Sequence, residues 1–312
     1  MIINGANISG VDIYGNPALY DFSTWTFTNG NSTGTSGPTV ANLRVLYNTT
    51  GNTWINNDAY FSTTNGIQLW TVPQTGTYTI TARGASSGMA NVGLGASIAG
   101  TFTLNRGEII RILVGQMGGN TTAYYSGGGG GSFVVRTPFN SNAAILTIAG
   151  GAGGVSYRGG LGTGTLTIAQ GSATSLPGKN VYGRSTGGGG GGATWDGGLN
   201  GADGQTTSSG WAGGGGGFFG NGATNSGGGV GGKSFTNGGT GGTGSQGNGG
   251  FGGGGGAVNS GGGGGGYNGG QNSSSNDAAA GAGSYNSGTS QTNTANANLG
   301  HGSVTITFVS AD

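Results

Sequence analysis

Few residues in this 312-residue chain are of types that carry out catalysis, and their positions do not build a catalytic site. His301 is the only histidine, Glu108 is the only glutamate, and there is no cysteine. A nucleophile needs a base within reach, and general acid–base chemistry needs suitably placed titratable groups. No Ser/His/Asp arrangement or carboxylate pair stands out from the sequence beyond chance. We therefore expect the protein not to be an enzyme and to need no cofactor.

Two apparent ligand motifs follow from the abundance of glycine alone. Residues 227–234 match the letters of a phosphate-binding loop, but that loop requires an apolar strand before it and a helix after it, and neither is indicated. Residues 197–203 resemble one turn of a calcium-binding β-roll, yet the pattern does not repeat and acidic residues are scarce. We expect neither a phosphate site nor a bound metal.

Aromatic side chains are the remaining candidates for ligand contact. They give a large contact area at low entropic cost, which suits stacking on sugars or anchoring a receptor. A structural role is the alternative, in which the same rings close the ends of the glycine-rich region and its boundary with the rest of the fold. The candidates for receptor contact are Tyr124, Tyr125, Trp195, Trp211, Phe218, Phe219 and Tyr267.

The glycine content determines how these rings are positioned. Of the 312 residues, 83 are glycine and only five are proline, and glycine shows no three-residue repeat, so a collagen helix is excluded. Aromatic residues spaced through the glycine runs argue against a flexible linker. The ordered alternative is the polyglycine II helix, which has three residues per turn and no internal hydrogen bonds, so its amides must bond to neighbouring helices. We expect a compact bundle of such helices.

Alternating apolar residues indicate β-strands outside the glycine runs. Residues 77–82 and 304–308 alternate threonine with larger apolar residues, and residues 109–114 form a continuous apolar run. No stretch has a convincing helical period. The predicted fold class is therefore mostly β, a sandwich with an inserted polyglycine II helix bundle and essentially no α-helix.

The chain divides into three predicted parts. Residues 1–22 form an extended attachment arm, residues 23–149 together with 302–310 form the β-sandwich, and residues 150–301 form the polyglycine II bundle. The arm alternates apolar residues with asparagine and glycine. The residues predicted to attach it to a partner are Ile3, Ile8, Val11, Ile13 and Tyr14.

Charge and hydropathy exclude two classes of partner. Only 5% of residues are charged and the net charge is +1, so no field exists to attract nucleic acid. No apolar run approaches the ~18 residues that a membrane span requires, and we expect no membrane insertion. The N-terminal residues also lack the basic and apolar regions of a signal peptide.

The order of several segments resembles a known family. The segments at residues 25–29, 66–73, 127–131 and 261–270 resemble, in the same order, segments of the extracellular glycine-rich domain of anaplastic lymphoma kinase and leukocyte tyrosine kinase receptors. The likeness extends over residues 25–308. It implies a TNF-like jelly roll that carries packed polyglycine II helices. The cysteines, signal peptide, membrane span and kinase of that family are absent, so a receptor role is not carried over.

A fainter resemblance is to tail-fibre tip adhesins of T-even-like phages, which also use polyglycine II bundles. It leads us to expect a non-enzymatic phage protein at the virion surface, extracellular after lysis, acting as a tail-fibre adhesin. Its expected partners are other virion proteins through the arm, a host surface glycan or protein, and further copies of itself, with a trimer as the working expectation. The alternatives are a capsid decoration or other structural protein of the virion, and a secreted glycine-rich structural or ice-binding protein.

Overall fold

A computed structural model describes residues 17–48, 52–89, 93–122, 124–158, 165–167, 211–273 and 278–311. The predicted attachment residues Ile3, Ile8, Val11, Ile13 and Tyr14, the candidate Trp195, and the calcium-like segment at residues 197–203 lie outside these ranges. Within them, no helix is long and apolar enough to cross a membrane.

The described chain contains one α-helix, three short 3₁₀ turns and thirteen β-strands. The helix, α1, spans Val40–Tyr47, and the side chain of Thr39 caps it by accepting from the Asn42 amide at 3.2 Å. The strands are β1 (Thr24–Phe27), β2 (Phe61–Thr64), β3 (Ile67–Thr71), β4 (Gly76–Arg83), β5 (Gly95–Leu104), β6 (Ile109–Leu113), β7 (Ser132–Arg136), β8 (Ile145–Ala149), β9 (Ser156–Arg158), β10 (Thr165–Thr167), β11 (Tyr285–Asn286), β12 (Thr289–Asn298) and β13 (Ser303–Ser310).

Two antiparallel sheets form a jelly-roll-like sandwich, which confirms the predicted mostly-β fold class. The first sheet has the order β1-β13-β4-β5-β12, and the second has the order β11-β8-β7-β6-β3-β2. A separate pair joins β9 to β10. The last strand, β13, lies between β1 and β4, so the two ends of the described chain meet in one sheet.

Period-two alternation explains how the first sheet faces the core. Along β4, Tyr78, Ile80 and Ala82 are buried, whereas the threonines between them are partly exposed. On β13 the buried residues Val304 and Ile306 lie opposite Ala82 and Ile80. Together with the inner faces of β3, β5 and β6, they form a core cluster that holds most of the large apolar side chains of the sandwich.

The glycine-rich segments described below pack beside the second sheet and contain no α-helix or β-strand. We call the packed segments at residues 115–119, 126–131, 150–155, 211–273 and 278–284 the glycine bundle. Four of them adjoin strands of the second sheet, since two follow β6 and β8 and two lead into β7 and β11. The sheet and the bundle therefore share continuous backbone.

The hydrogen-bond partners of successive amides in the bundle repeat every three residues, as expected for packed polyglycine II helices. Amides at positions i and i+3 donate to the same neighbouring segment, and the two amides between them donate to two other segments. The N–H groups of residues 127–131 donate in turn to the carbonyls of Gly119, Gly255, Ala152, Gln116 and Gly252, and those of residues 262–267 donate to Ser126, Gly213, Ala280, Gly129, Gly216 and Gly283.

These hydrogen bonds and the strand pairing differ from the predicted division between sandwich and bundle in two places. The sequence predicts residues 115–119 and 127–131 to belong to the sandwich, but amides of both segments bond to the later glycine segments. The sequence predicts the residues of strand β12 to belong to the bundle, but this strand pairs with β5 at the edge of the first sheet. Almost every residue of β12 is exposed, on both faces of the sheet, so its sequence shows no alternation of apolar and polar residues. A search for period-two alternation therefore could not find this strand.

An aromatic layer joins the bundle to the sandwich. The outer face of the second sheet presents Leu113, Phe133, Val135 and Ile148, and turns of the bundle cover it with rings. The rings contributed by the bundle are Phe218, Phe219, Phe235, Phe251 and Tyr267. Phe235 lies 5.2 Å from both Phe133 and Phe218, measured between ring centroids, so the layer is continuous across the boundary.

Candidate functional site

The bundle has two ends of different chemistry. At the proximal end its turns carry the aromatic layer against the second sheet. Strands β6 and β8 run toward the bundle, so residues 119 and 155, where their glycine continuations finish, mark the opposite, distal end. We call residues 119–122, 124–126, 211–212, 223–229, 244–248, 257–261 and 271–273 the distal loops.

Backbone hydrogen bonds join the distal loops into one surface. The Thr121 amide donates to the Gln246 carbonyl at 3.0 Å, and the Gln246 amide donates to the Ala257 carbonyl at 3.1 Å. The side-chain oxygen of Gln246 accepts from the Asn259 amide. Loops from three separate parts of the sequence therefore keep fixed relative positions.

Trp211 stands on this surface with a fixed backbone and an exposed ring. Its amide donates to the Ser260 hydroxyl at 3.2 Å, and its carbonyl accepts from the Gly229 amide at 2.9 Å. Its side chain is 51% exposed. The fixed backbone reduces the conformational entropy that contact with a ligand would otherwise cost.

Tyr124 is the second exposed ring of the distal loops, with 50% of its surface accessible. The hydroxyl of Thr122 accepts from the amides of Tyr124 and Tyr125, both at 3.3 Å. Tyr125 is half-buried, and its backbone pairs with Ser156. The structure thus places Tyr124, Tyr125 and Trp211 at the same end of the bundle.

Three other predicted contact residues lie at the proximal end, which corrects the prediction for them. Phe218 is 0% exposed and Tyr267 is 2% exposed, and Phe219 packs edge-on against Phe218 with centroids 4.7 Å apart. The Tyr267 hydroxyl donates to the Asn142 side chain at 3.2 Å, and burial raises the pKa of this phenol above its ordinary value. These rings cover the apolar face of the second sheet, and Phe218 and Tyr267 have almost no exposed surface with which to contact a ligand.

The surface chemistry of the distal loops is neutral. None of the distal-loop residues is charged, and polar groups are supplied by asparagine, glutamine, serine and threonine. Sequence reasoning singled out the aromatic rings but missed Gln246, Asn259 and Ser260, which hold the loops together. Their only sequence indication is the clustering of Asn, Gln and Ser between glycine runs, which marks turns in general.

The phosphate-loop pattern at residues 227–234 has no amides arranged for an anion. The Gly232 amide donates to Gly214 and the Lys233 amide donates to Thr240, so the bundle uses them. A 3₁₀ turn follows, at Phe235–Asn237, where the motif requires a helix. In the described ranges, no group of three or more His, Cys, Asp or Glu residues could hold a metal ion.

Comparison with known proteins gives a limited match. No protein-family model matches the chain. A stretch of 99 residues is 36% identical to the Leukocyte tyrosine kinase receptor of Mus musculus, and it covers 30% of this chain and 11% of the receptor. The chain therefore spans far less than two thirds of that relative's length. The match supports the resemblance noted in the sequence only in part.

Proposed function

We propose that this chain is a non-enzymatic attachment protein of a virion, a tail-fibre or appendage adhesin whose distal loops contact a glycan or protein on a host surface. The observation that carries the proposal is the pair of half-exposed rings, Trp211 and Tyr124, on one uncharged surface of hydrogen-bonded loops. Large rings with fixed backbones suit recognition because little conformational freedom is lost on binding.

The bundle favours a rigid holder for this surface. Each glycine segment bonds to several neighbours, so loops at its end keep their spacing when one loop sequence changes. Weak contacts repeated over several copies of the protein would give strong attachment without a deep pocket.

The remaining parts of the proposal concern the partners. Residues 1–22 attach the protein to other virion proteins, and several copies assemble, with a trimer as the working model. The surface lies outside the host cell after lysis. Because the distal loops carry no charge, attachment should change little between low and high ionic strength.

The first test compares binding of labelled protein to host cells before and after removal of both rings. The double variant Trp211→Ala/Tyr124→Ala is expected to bind at least about tenfold more weakly, because each stacked ring supplies on the order of 1 kcal/mol. Val309→Ala is the matched control, since Val309 is also exposed but lies on β13. Unchanged binding by the double variant would contradict the proposal.

Gold-labelled antibody on purified particles tests where the protein resides. Label at fibre or tail tips is the expected result. Label spread over the capsid would instead identify a decoration protein, and particles without label would remove the virion assignment altogether.

A further inference from the structure

The end of the sandwich farthest from the distal loops carries a cleft. A cleft of about 390 Å³ is lined by Tyr20, Asp21, Thr53, Trp54, Asn57 and Tyr60. It borders Thr71, which pairs with Ile109 at the start of β6, whereas the bundle continues from the other end of that strand. Its volume falls in the range of ordinary small-molecule pockets.

The floor of the cleft is aromatic and fixed. The ring of Tyr20 stacks on Trp54 with centroids 5.2 Å apart and an angle of 19° between the ring planes, and Tyr60 lies 4.8 Å from Tyr20. The Tyr20 hydroxyl donates to the Thr71 carbonyl, which holds the ring in place. Tyr20 and Tyr60 are partly exposed, so ring surface remains open to a ligand.

The rim carries polar groups whose hydrogen-bonding capacity is not used by the described protein. The Asp21 carboxylate, the Thr53 hydroxyl, the Asn57 side-chain nitrogen and the Tyr60 hydroxyl have no partner within the described ranges, although the Asn57 oxygen accepts from the Ala59 amide at 3.0 Å. The adjacent Asp58 differs, because it pairs with Arg44 at 2.5 Å.

This combination matches the chemistry of a neutral sugar. The C–H face of a pyranose packs on an aromatic ring, and its hydroxyls donate to a carboxylate and accept from an amide. A carboxylate at the rim disfavours anionic ligands.

We propose that this cleft binds one sugar unit of a neutral glycan, independently of the distal loops. The site would give each copy of the protein a second contact at the opposite end of the molecule. It does not rest on the proposed adhesin function, because the cleft and the distal loops share no residue.

The test uses the full chain carrying Trp211→Ala/Tyr124→Ala, so that any binding reports the cleft. Saturation-transfer NMR is recorded with the methyl glycosides of glucose, galactose, mannose and N-acetylglucosamine, and calorimetry measures Kd for any sugar that responds. We expect at least one sugar to bind, and Asp21→Asn to weaken it about tenfold through loss of a charged hydrogen-bond acceptor. Tyr60→Ala should weaken it to a similar extent.

Asp58→Asn is the control, since it makes the same chemical change at a carboxylate that does not line the cleft, and it should bind like its parent. Asp21 is exposed, so its variant retains the fold, and circular dichroism checks this for Tyr60→Ala. Absence of saturation transfer from all four sugars would overturn the proposal, as would binding that survives both cleft variants. Neither outcome bears on cell attachment through the distal loops.

Discussion

The sandwich and the glycine bundle exclude water by opposite means. In the sandwich, large side chains such as Phe27 and Trp70 are fully buried between two sheets whose backbones pair internally. In the bundle, backbone lies directly against backbone, and a methyl group at many glycines would overlap a neighbouring carbonyl. The sandwich should therefore lose stability when side-chain atoms are removed, and the bundle should lose stability when they are added.

The difference also changes what holds each region together. Apolar burial dominates the sandwich, whereas the bundle buries little side-chain surface and depends on satisfying every enclosed amide. The aromatic layer is where the two meet, because rings from the bundle pack on side chains of the second sheet.

Removal of a ring from the sandwich core should produce the largest loss of stability. Phe27 is fully buried, with its centroid 6.5 Å from that of Phe61 and 6.2 Å from that of Trp70. Phe27→Ala is expected to lower the free energy of unfolding by about 3 to 5 kcal/mol, from lost burial and an unfilled cavity. Urea denaturation measures it, and a loss below about 1 kcal/mol would mean that side-chain packing does not dominate here.

In the bundle, the addition of a single methyl group should lower the stability. A Cβ at Gly130 would overlap the Phe251 carbonyl oxygen, which cannot retreat without losing its bond from the Gln116 amide at 2.8 Å. Gly130→Ala is expected to cost about 1 to 3 kcal/mol or more.

Gly119→Ala is the control within the same lattice. There a Cβ would meet the Asn248 amide nitrogen at 3.3 Å, a contact that small shifts relieve. Loss of chain freedom in the unfolded state also favours alanine by about 0.4 to 1 kcal/mol. Equal behaviour of the two variants in thermal unfolding would refute close backbone packing as the organising feature of the bundle.

The aromatic layer, like the sandwich, should lose stability when side-chain atoms are removed. The loss should be smaller when only a hydroxyl group is removed. Tyr267→Phe removes the hydrogen bond to Asn142 and is expected to cost about 1 kcal/mol. Tyr285→Phe is the paired control, because that ring packs on Tyr267 at 4.8 Å and its hydroxyl has no partner within the described chain. The comparison would be weakened if the control lost as much stability as Tyr267→Phe.

The smallest effect is expected from a pH-dependent link between the two regions. The Met117 amide, in the bundle, donates to His301 Nδ1 at 3.1 Å, which requires a neutral imidazole. Burial lowers the pKa of His301 below its ordinary value of 6.5. As pH falls below 6.5, the unfolded chain takes up a proton that the folded chain resists, so stability decreases until the folded pKa is passed.

Unfolding free energies measured from pH 8 to pH 5 test this link, with His301→Gln as the comparison. Glutamine keeps a side-chain acceptor but does not titrate, so its profile should lack the decrease that the parent protein shows near pH 6. If both proteins showed the same decrease in unfolding free energy with pH, titratable groups other than His301 would be responsible for it.

Much of the sandwich could be predicted because its strands carry a period. Residues 77–82 and 304–308 alternate, and both are strands that face the core in register. Strand β12 could not be found this way, since an edge strand exposed on both faces leaves no apolar pattern in the sequence. The helix α1 was missed for a related reason: it has only eight residues, too few to establish a period.

The candidate site was half predictable. Aromatic residues in the glycine-rich region were the right type, yet Trp211 and Tyr124 are exposed whereas Phe218 and Tyr267 are buried. All four sit in or beside turns between glycine segments. Whether such a turn lies at the proximal or the distal end depends on the direction in which each glycine segment runs. A run of glycines has the same sequence in either direction, so the sequence does not indicate which end it reaches.

The sequence by itself determined that backbone must pack on backbone, because a compact region so rich in glycine has no side chains with which to fill a core. It also determined that the sandwich closes through its last strand, whose alternation matches that of the early strands. Only the tertiary structure decided which segments became neighbours in the lattice and which rings stayed in solvent. The physical reason is that polyglycine segments are interchangeable in sequence, so their partners are chosen by the strands and aromatic rings that fix their ends.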